Sequence, residues 1–121
     1  MEQKPYNLTK LEDIAQGDED FVHEMLVTFV ENVTEDVEKV QSLRLSENWK
    51  TIAEIAHRLA SRFAYLSITS LQTLSIDIET SVLKDNNLGG ISEKTDRLCR
   101  EAIDVVGLLK IDFEFLFANS V

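Results

Sequence analysis

Proline and glycine, the two residues that interrupt helices, are scarce along this chain of 121 residues. The single proline stands at position 5, and the four glycines occupy positions 17, 89, 90 and 107. Because proline removes a backbone donor and glycine weakens helices, their scarcity allows long uninterrupted helical segments. The main breaks are short polar stretches at residues 16–18, 46–48 and 85–90. None of them is typical of an interdomain linker, so we expect a single domain over residues 1–121.

Between these breaks, apolar residues recur at the i, i+3, i+4, i+7 spacing that places them on one face of a helix. The predicted long helices run from Phe21 to Val40, from Trp49 to Leu66, from Leu71 to Val82 and from Leu98 to Leu116. A short helix is predicted from Leu8 to Ala15, and Asp18 is an available N-cap for the helix that follows. Residues 111–117 alternate apolar and acidic side chains and fit either a helix or a strand. The pattern predicts an all-α fold, an up-and-down four-helix bundle with a short N-terminal helix.

Composition excludes several classes of protein. Twelve basic against 22 acidic side chains give a net charge of −10, which argues against a nucleic-acid binder. No apolar run approaches the roughly 20 residues of a membrane span, and no signal-peptide pattern opens the chain. One cysteine cannot form an internal disulfide, which fits a reducing cytoplasm. We expect a cytoplasmic monomer, although exposure of Phe115 and Phe117 would support a dimer.

The two ends of the chain bear on whether it is complete. An initial methionine and an Ala-Asn-Ser-Val ending are typical of a complete small protein. Excision from a longer protein is the alternative, and the sequence leaves it open.

Charge is unevenly distributed along the chain. Residues 1–43 carry a net charge of −8 and residues 77–121 a net charge of −4. Residues 44–76 carry +2, and the predicted helix in this segment contains one of the two histidines, His57. A local excess of basic residues usually marks only a solvated face, but here it coincides with a histidine.

His57 is predicted to face solvent, because on a helical wheel it lies roughly 140° from the centre of its helix's apolar stripe. Small residues surround it at helical spacing, namely Ala53, Ala60, Ser61 and Ala64. Exposed helix faces normally carry long polar chains, so this clearing would leave the ring open to a bulky partner. Lys50, Arg58 and Arg62 lie around its periphery and favour anions. The alternative is an ordinary exposed histidine.

Other roles for the histidines are less well supported. A metal site at His57 has only Glu54 within one turn, and that carboxylate is expected to pair with Arg58, so we expect no metal site. A hydrolytic dyad lacks an oriented carboxylate and an oxyanion-hole motif. His23 lies at the edge of an apolar stripe, with Glu19 and Asp20 one turn before it, and is assigned a structural role.

A solvent-exposed imidazole is a competent nucleophile at neutral pH, and small neighbours allow a phosphoryl donor to approach it in line. Phosphoryl transfer needs positioning and cations more than covalent help from the protein. The chain has no glycine-rich phosphate loop, so we expect no autonomous kinase activity. A partner must supply the metal and the electrophile.

The sequence resembles the histidine-containing phosphotransfer (HPt) domains of phosphorelays over roughly residues 5–110. Residues 5–21 are similar to the family's opening helix and Gly-Asp turn, and Met25 to Phe29 to its first core segment. Asn48-Trp49 followed by Ile55-Ala56-His57-Arg58-Leu59 resembles the signature helix. The resemblance implies that His57 is the phosphorylated residue.

Two positions depart from the family pattern, which usually has lysine three residues and glycine four residues after the histidine. Here these positions are Ala60 and Ser61, so a cation expected beside the phosphoryl group is missing. Lys50, Arg58 or Arg62 are candidates to replace it, and Ser61 is a candidate contact for phosphate oxygens.

The resemblance further implies a receiver-domain partner, one possible source being a hybrid histidine kinase, with Mg²⁺ held on the receiver and no cofactor on this chain. The docking surface would be the exposed face of the His57 helix, flanked by the first helix and the start of the second. Its candidate apolar contacts are Leu11, Ile14, Ala60, Ala64 and Tyr65. A helical interaction module that binds or sequesters a receiver without chemistry is the alternative.

Overall fold

The computed structural model describes residues 4–117. The α-helices in this range are α1 (Thr9–Ala15), α2 (Glu19–Leu45), α3 (Trp49–Tyr65), α4 (Thr69–Glu79), α5 (Ile91–Asp112) and α6 (Glu114–Phe117). A π-helical segment, Thr80–Lys84, directly follows α4. Residues 4–117 contain no strand, so residues 111–117 follow the helical alternative and form the end of α5 and α6. None of the described helices has the length and apolar character needed to cross a membrane.

Side-chain caps set the starts of the two helices that matter most for the site. The Asp18 carboxylate accepts a hydrogen bond from the backbone N–H of Phe21 at 3.1 Å, as the sequence predicts. The Asn48 side-chain oxygen accepts from the N–H of Thr51 at 3.3 Å. Each bond satisfies one of the backbone donors that a helix N-terminus leaves unpaired. The turns before α2 and α3 therefore fix where both helices begin.

The four long helices enclose one apolar core. Helix α2 packs against α3 and α5, and α4 packs against the same two helices. Phe63, Leu59 and Ile52 of α3 are fully buried at its centre, together with Leu26 and Val33 of α2. Burying one such side chain contributes about 1.5–3 kcal/mol. The predicted all-helical bundle with a short N-terminal helix is confirmed, and the up-and-down order of its helices stays a prediction.

Several predicted helices have different bounds in the structure. The first long helix continues to Leu45, five residues beyond Val40. The third begins at Thr69, where the sequence offers Thr69 or Ser70 near its start, but is α-helical only to Glu79, after which the chain turns more widely. The fourth begins at Ile91, next to Ser92, which precedes its apolar pattern, and seven residues before Leu98, the first residue of that pattern. An apolar pattern marks only the residues that touch the core, so polar first turns are missed. Ile91 is nevertheless buried and belongs to the core.

The segment before α1 is anchored to the ends of two long helices. The Tyr6 hydroxyl donates to Asp112 at 2.6 Å, and Lys4 forms an ion pair with the same carboxylate at 3.3 Å. The backbone N–H of Asn7 donates to the carbonyl of Leu66 at 2.8 Å. Burial, assisted by the bond to Asp112, raises the pKa of Tyr6. These contacts hold α1 close to the end of α3.

Candidate functional site

His57 lies near the middle of α3 and faces solvent, as its helical phase predicts. Its side chain is 70% exposed, whereas Ala56 before it and Leu59 after it are fully buried. The helix is held on both sides, by α2 and by α4, so the backbone that carries the imidazole is firmly supported. The ring is therefore presented from a rigid element at the surface of the bundle.

A carboxylate from the neighbouring helix contacts this imidazole. Nδ1 of His57 lies 2.6 Å from Oε2 of Glu79, the last residue of α4. The Glu79 side chain is only 26% exposed, so the contact lies at the edge of the α3–α4 packing. The contact is made through Nδ1, so Nε2 is the ring nitrogen left without a partner among the described residues. The expectation that no oriented carboxylate accompanies His57 was wrong.

The π-helical segment begins at the residue after Glu79. Its wide turn is closed by a hydrogen bond from the N–H of Asp85 to the carbonyl of Thr80 at 2.9 Å. Short π-helical turns are rare and frequently occur at functional sites. Here the segment packs against α3. The helical geometry therefore changes directly beside the residue that orients His57.

The small residues around His57 do not all form an exposed clearing. Ser61 is exposed and Ala64 is half-buried, but Ala53 is fully buried and Ala60 is 9% exposed. The predicted exposure of Ala60 is therefore wrong. Because α3 packs closely against α4, its buried sector extends further around the helix than the apolar stripe alone predicts. Small side chains at these two positions let α4 approach closely enough for Glu79 to reach the ring.

The two arginines of α3 point to the other side of the helix, where α2 packs. Nη2 of Arg58 lies 2.7 Å from Oδ1 of Asp36, and Nε of Arg62 lies 3.2 Å from Oδ2 of the same residue. The Asp36 side chain is 4% exposed, and its hydrogen bond raises the pKa of the Arg58 guanidinium. The sequence predicted that Arg58 pairs with Glu54 of its own helix. In the structure Arg58 pairs instead with Asp36 of α2.

The positive charge of the α3 segment is therefore not concentrated at His57. Within residues 4–117, Glu79 forms an ion pair only with His57, and no lysine or arginine pairs with Glu79. Lys50 is exposed and lies seven residues before His57, about 10 Å along the helix axis. Arg58 and Arg62 were expected to surround His57. Both are instead paired with Asp36 of α2.

His23 occupies a different environment on α2. It is half-buried, and its ring meets the edge of Phe115 at a centroid distance of 5.2 Å. Phe115 itself is 64% exposed and lies in α6. The contact joins the start of α2 to the end of the chain's helical part. A structural role for His23 stays a prediction, and this packing supports it.

Comparison with known protein families identifies the fold. The family model of the Hpt domain matches residues 24–108, which include α3, the His57–Glu79 contact and most of the core. The chain belongs to the Hpt domain family. Hpt domains are phosphotransfer modules of two-component phosphorelays and interact with the receiver domains of response regulators. Searches of the curated proteins and of the solved structures returned no match.

In this Hpt domain the proposed docking residues lie at different depths. Ile14 is 50% exposed and Tyr65 is 45% exposed, so both are available to a partner. Leu11 is 1% exposed, which corrects its expected place on the surface. The opening helix turns this leucine into the core, because its apolar side must be buried against α2 and α3. Leu11 therefore belongs to the core beneath α1.

Two residues of the site escaped prediction from the sequence. Glu79 lies 22 positions after His57 and Asp36 lies 22 positions before Arg58. A pair that forms between helices leaves no spacing signal in one sequence, unlike an i, i+4 pair within a helix. The only local hint was that Asp36 falls among the apolar positions of α2, next to Val37.

Proposed function

We propose that this Hpt domain accepts a phosphoryl group on Nε2 of His57 from the phospho-aspartate of a receiver domain and passes it to another receiver. The observation that carries the proposal is the pairing of an exposed imidazole with a carboxylate on Nδ1 alone. This arrangement fixes the ring and leaves the second nitrogen as the nucleophile. An ordinary surface histidine has no need of such a partner.

No proton has to leave the site during the transfer. The Nε2 lone pair of neutral His57 attacks phosphorus, a bond from nitrogen to phosphorus forms, and the bond from phosphorus to the aspartyl oxygen breaks. The receiver recovers its carboxylate, and the ring carries a positive charge with its proton still on Nδ1. Glu79 stabilises that charge through the 2.6 Å contact. The reverse steps pass the phosphoryl group to the next receiver.

The remaining components come from the partner or from the cellular setting. Mg²⁺ is expected on the receiver, where it neutralises charge on the phosphoryl group. Ser61 and Ala64 leave room for the receiver above the ring, and Ile14 and Tyr65 are proposed apolar contacts. We place the protein in the cytoplasm as a single-domain monomer, with a hybrid histidine kinase as one source of the donor receiver.

The test uses receiver domains from the genome that encodes the chain. Each is phosphorylated with radiolabelled acetyl phosphate in Mg²⁺ and mixed with the full chain. We expect acid-labile, base-stable label on the wild-type protein and none on the His57→Gln variant. The proposal fails if the wild type takes no label from any receiver, or if the variant takes as much label as the wild type.

A second function, binding of a receiver without transfer, is favoured by one observation. Arg58 and Arg62 are both engaged by Asp36, and Ala60 stands where the family usually has lysine, so the site has little positive charge of its own. In the same experiment this function predicts complex formation with a phosphorylated receiver by gel filtration, with no label on His57.

A further inference from the structure

One continuous part of the surface carries unbalanced negative charge. Residues 11–38 include ten aspartates and glutamates and neither lysine nor arginine. All of these carboxylates are exposed except Asp36. The stretch forms most of α1 and the first two-thirds of α2. Since the net charge of the whole chain is −10, this region contributes the largest share of it.

An apolar groove lies between this acidic region and α3. A small cavity of about 70 Å³ opens between α1, α2 and α3, and its lining includes Met25, Phe29 and Tyr65. Tyr65 follows His57 by eight residues on α3 and is rotated from it by about 80°, so the groove lies beside the surface that carries His57. Half-exposed Ile14 of α1 adds apolar surface on the other side of the groove. A partner that reaches His57 also covers this groove.

Carboxylates line the outer edge of the groove along α2. Thr28 borders the cavity, and Glu24 and Glu31 lie four residues before and three residues after it, on the same side of the helix. Both glutamates are exposed and neither forms an ion pair within the described residues. Glu35, one turn further, pairs with Lys39 at 2.9 Å. Uncompensated negative charge therefore borders the apolar contact area.

The nucleophile itself lies in similar electrostatic surroundings. Glu79 contacts His57, and the two arginines nearest in sequence, Arg58 and Arg62, are bound to Asp36 of α2. A transferred phosphoryl group would add further negative charge at Nε2. Arg62 lines the cavity but is paired with Asp36, so along α2 the edge of the groove carries no unpaired basic side chain.

We propose that the partner of this face is a receiver domain whose contact surface is basic, and that this receiver supplies the positive charge which the phosphoryl group on His57 requires. The inference rests on the proposed function and specifies the partner of the same site. An acidic receiver would bring like charges together across the groove, which slows encounter and costs affinity. A basic receiver gains in association rate, and the gain shrinks as salt screens the charges.

The first test uses the receiver panel described above, ranked by the net charge of the surface around the phosphorylated aspartate. We expect transfer to be fastest from the most basic receivers, and the rate of the best one to fall about tenfold as salt rises from about 0.05 to about 0.5 M. Transfer from acidic receivers at equal rates, or a rate indifferent to salt, overturns the inference while leaving the proposed function intact. A panel without any transfer overturns both.

The second test changes the edge of the groove. Glu24→Lys combined with Glu31→Lys is expected to lower the association rate of the best receiver by about three- to tenfold at low salt. The matched control, Glu93→Lys combined with Asp104→Lys, alters net charge equally on α5 and is expected to remain within twofold of the wild type. Circular dichroism confirms that both variants are folded. Equal effects of the two pairs would overturn the inference, because net charge alone would then explain the rate.

Discussion

Helix α3 presents two polar sides that differ in how their charges are used. On the side that meets α2, Arg58 and Arg62 share the nearly buried carboxylate of Asp36. On the side that meets α4, exposed His57 contacts the single carboxylate of Glu79. Both are contacts between a helix and its neighbour, and both join a nitrogen base to an acid. Only the second leaves a ring nitrogen without a partner on a largely exposed side chain.

The difference shows how one helix can be both a structural and a chemical element. Three bonds from two guanidinium groups use both oxygens of Asp36, so that side is saturated and serves packing. At His57 one ring nitrogen is occupied and the other has no partner among the described residues. Saturation stabilises a contact, whereas one free lone pair permits chemistry.

The largest effect is expected from removing the nucleophile. His57→Gln should abolish labelling by a phosphorylated receiver, a loss of more than about 100-fold, because no other side chain offers an oriented nitrogen. His23→Gln is the control and should keep the labelling rate within about twofold of the wild type, since His23 packs against Phe115 away from α3. Label that survives in the first variant, or is lost from a folded second variant, would mean that the phosphorylated residue was misassigned.

On the side of α3 that meets α2, removing the shared carboxylate should lower the stability of the fold and leave the rate of phosphoryl transfer unchanged. Asp36→Ala is expected to lower the free energy of unfolding by about 2 kcal/mol, measured by urea denaturation, because two arginines lose a shared, nearly buried partner. Glu35→Ala removes an exposed pair with Lys39 and should cost less than about 0.5 kcal/mol. If Asp36→Ala instead slows transfer to His57 while remaining folded, the two sides of α3 are not independent.

A smaller effect is expected at the orienting carboxylate. Glu79→Ala should slow labelling of His57 about tenfold, because a hydrogen bond to a charged group contributes about 1.5 kcal/mol and here it stabilises the charged ring. The amide oxygen of Glu79→Gln can still accept a hydrogen bond from Nδ1–H, so this variant should lose less, about two- to threefold. The measurement is the single-turnover labelling rate. Equal rates in wild type and Glu79→Ala would show that the contact has no part in transfer.

The sequence predicted the positions of residues within α3 much better than their partners on the neighbouring helices. Periodicity predicted α3, the core position of Leu59 and the exposure of His57, since each depends only on phase along one helix. The partners Asp36 and Glu79 depend on which helices meet and at what height, and a single sequence contains no record of that. Ala60 was misplaced for the same reason, because its burial is caused by α4 and not by its own helix.

The smallest effect is expected from a variant that tests whether the surface around His57 lacks a cation. Ser61 is exposed one turn after His57, so Ser61→Lys would place a positive charge beside a phosphoryl group on Nε2. We expect the label on purified phosphorylated protein to decay about two- to threefold more slowly at neutral pH, as an exposed ion pair contributes up to about 1 kcal/mol. Gln41→Lys adds the same charge on α2 and should leave the decay unchanged. Slower transfer from a basic receiver to Ser61→Lys would agree with charge supplied by the partner, because the added lysine repels it. An unchanged lifetime would instead mean that the site already holds enough positive charge, and that its two sides differ less than their contacts indicate.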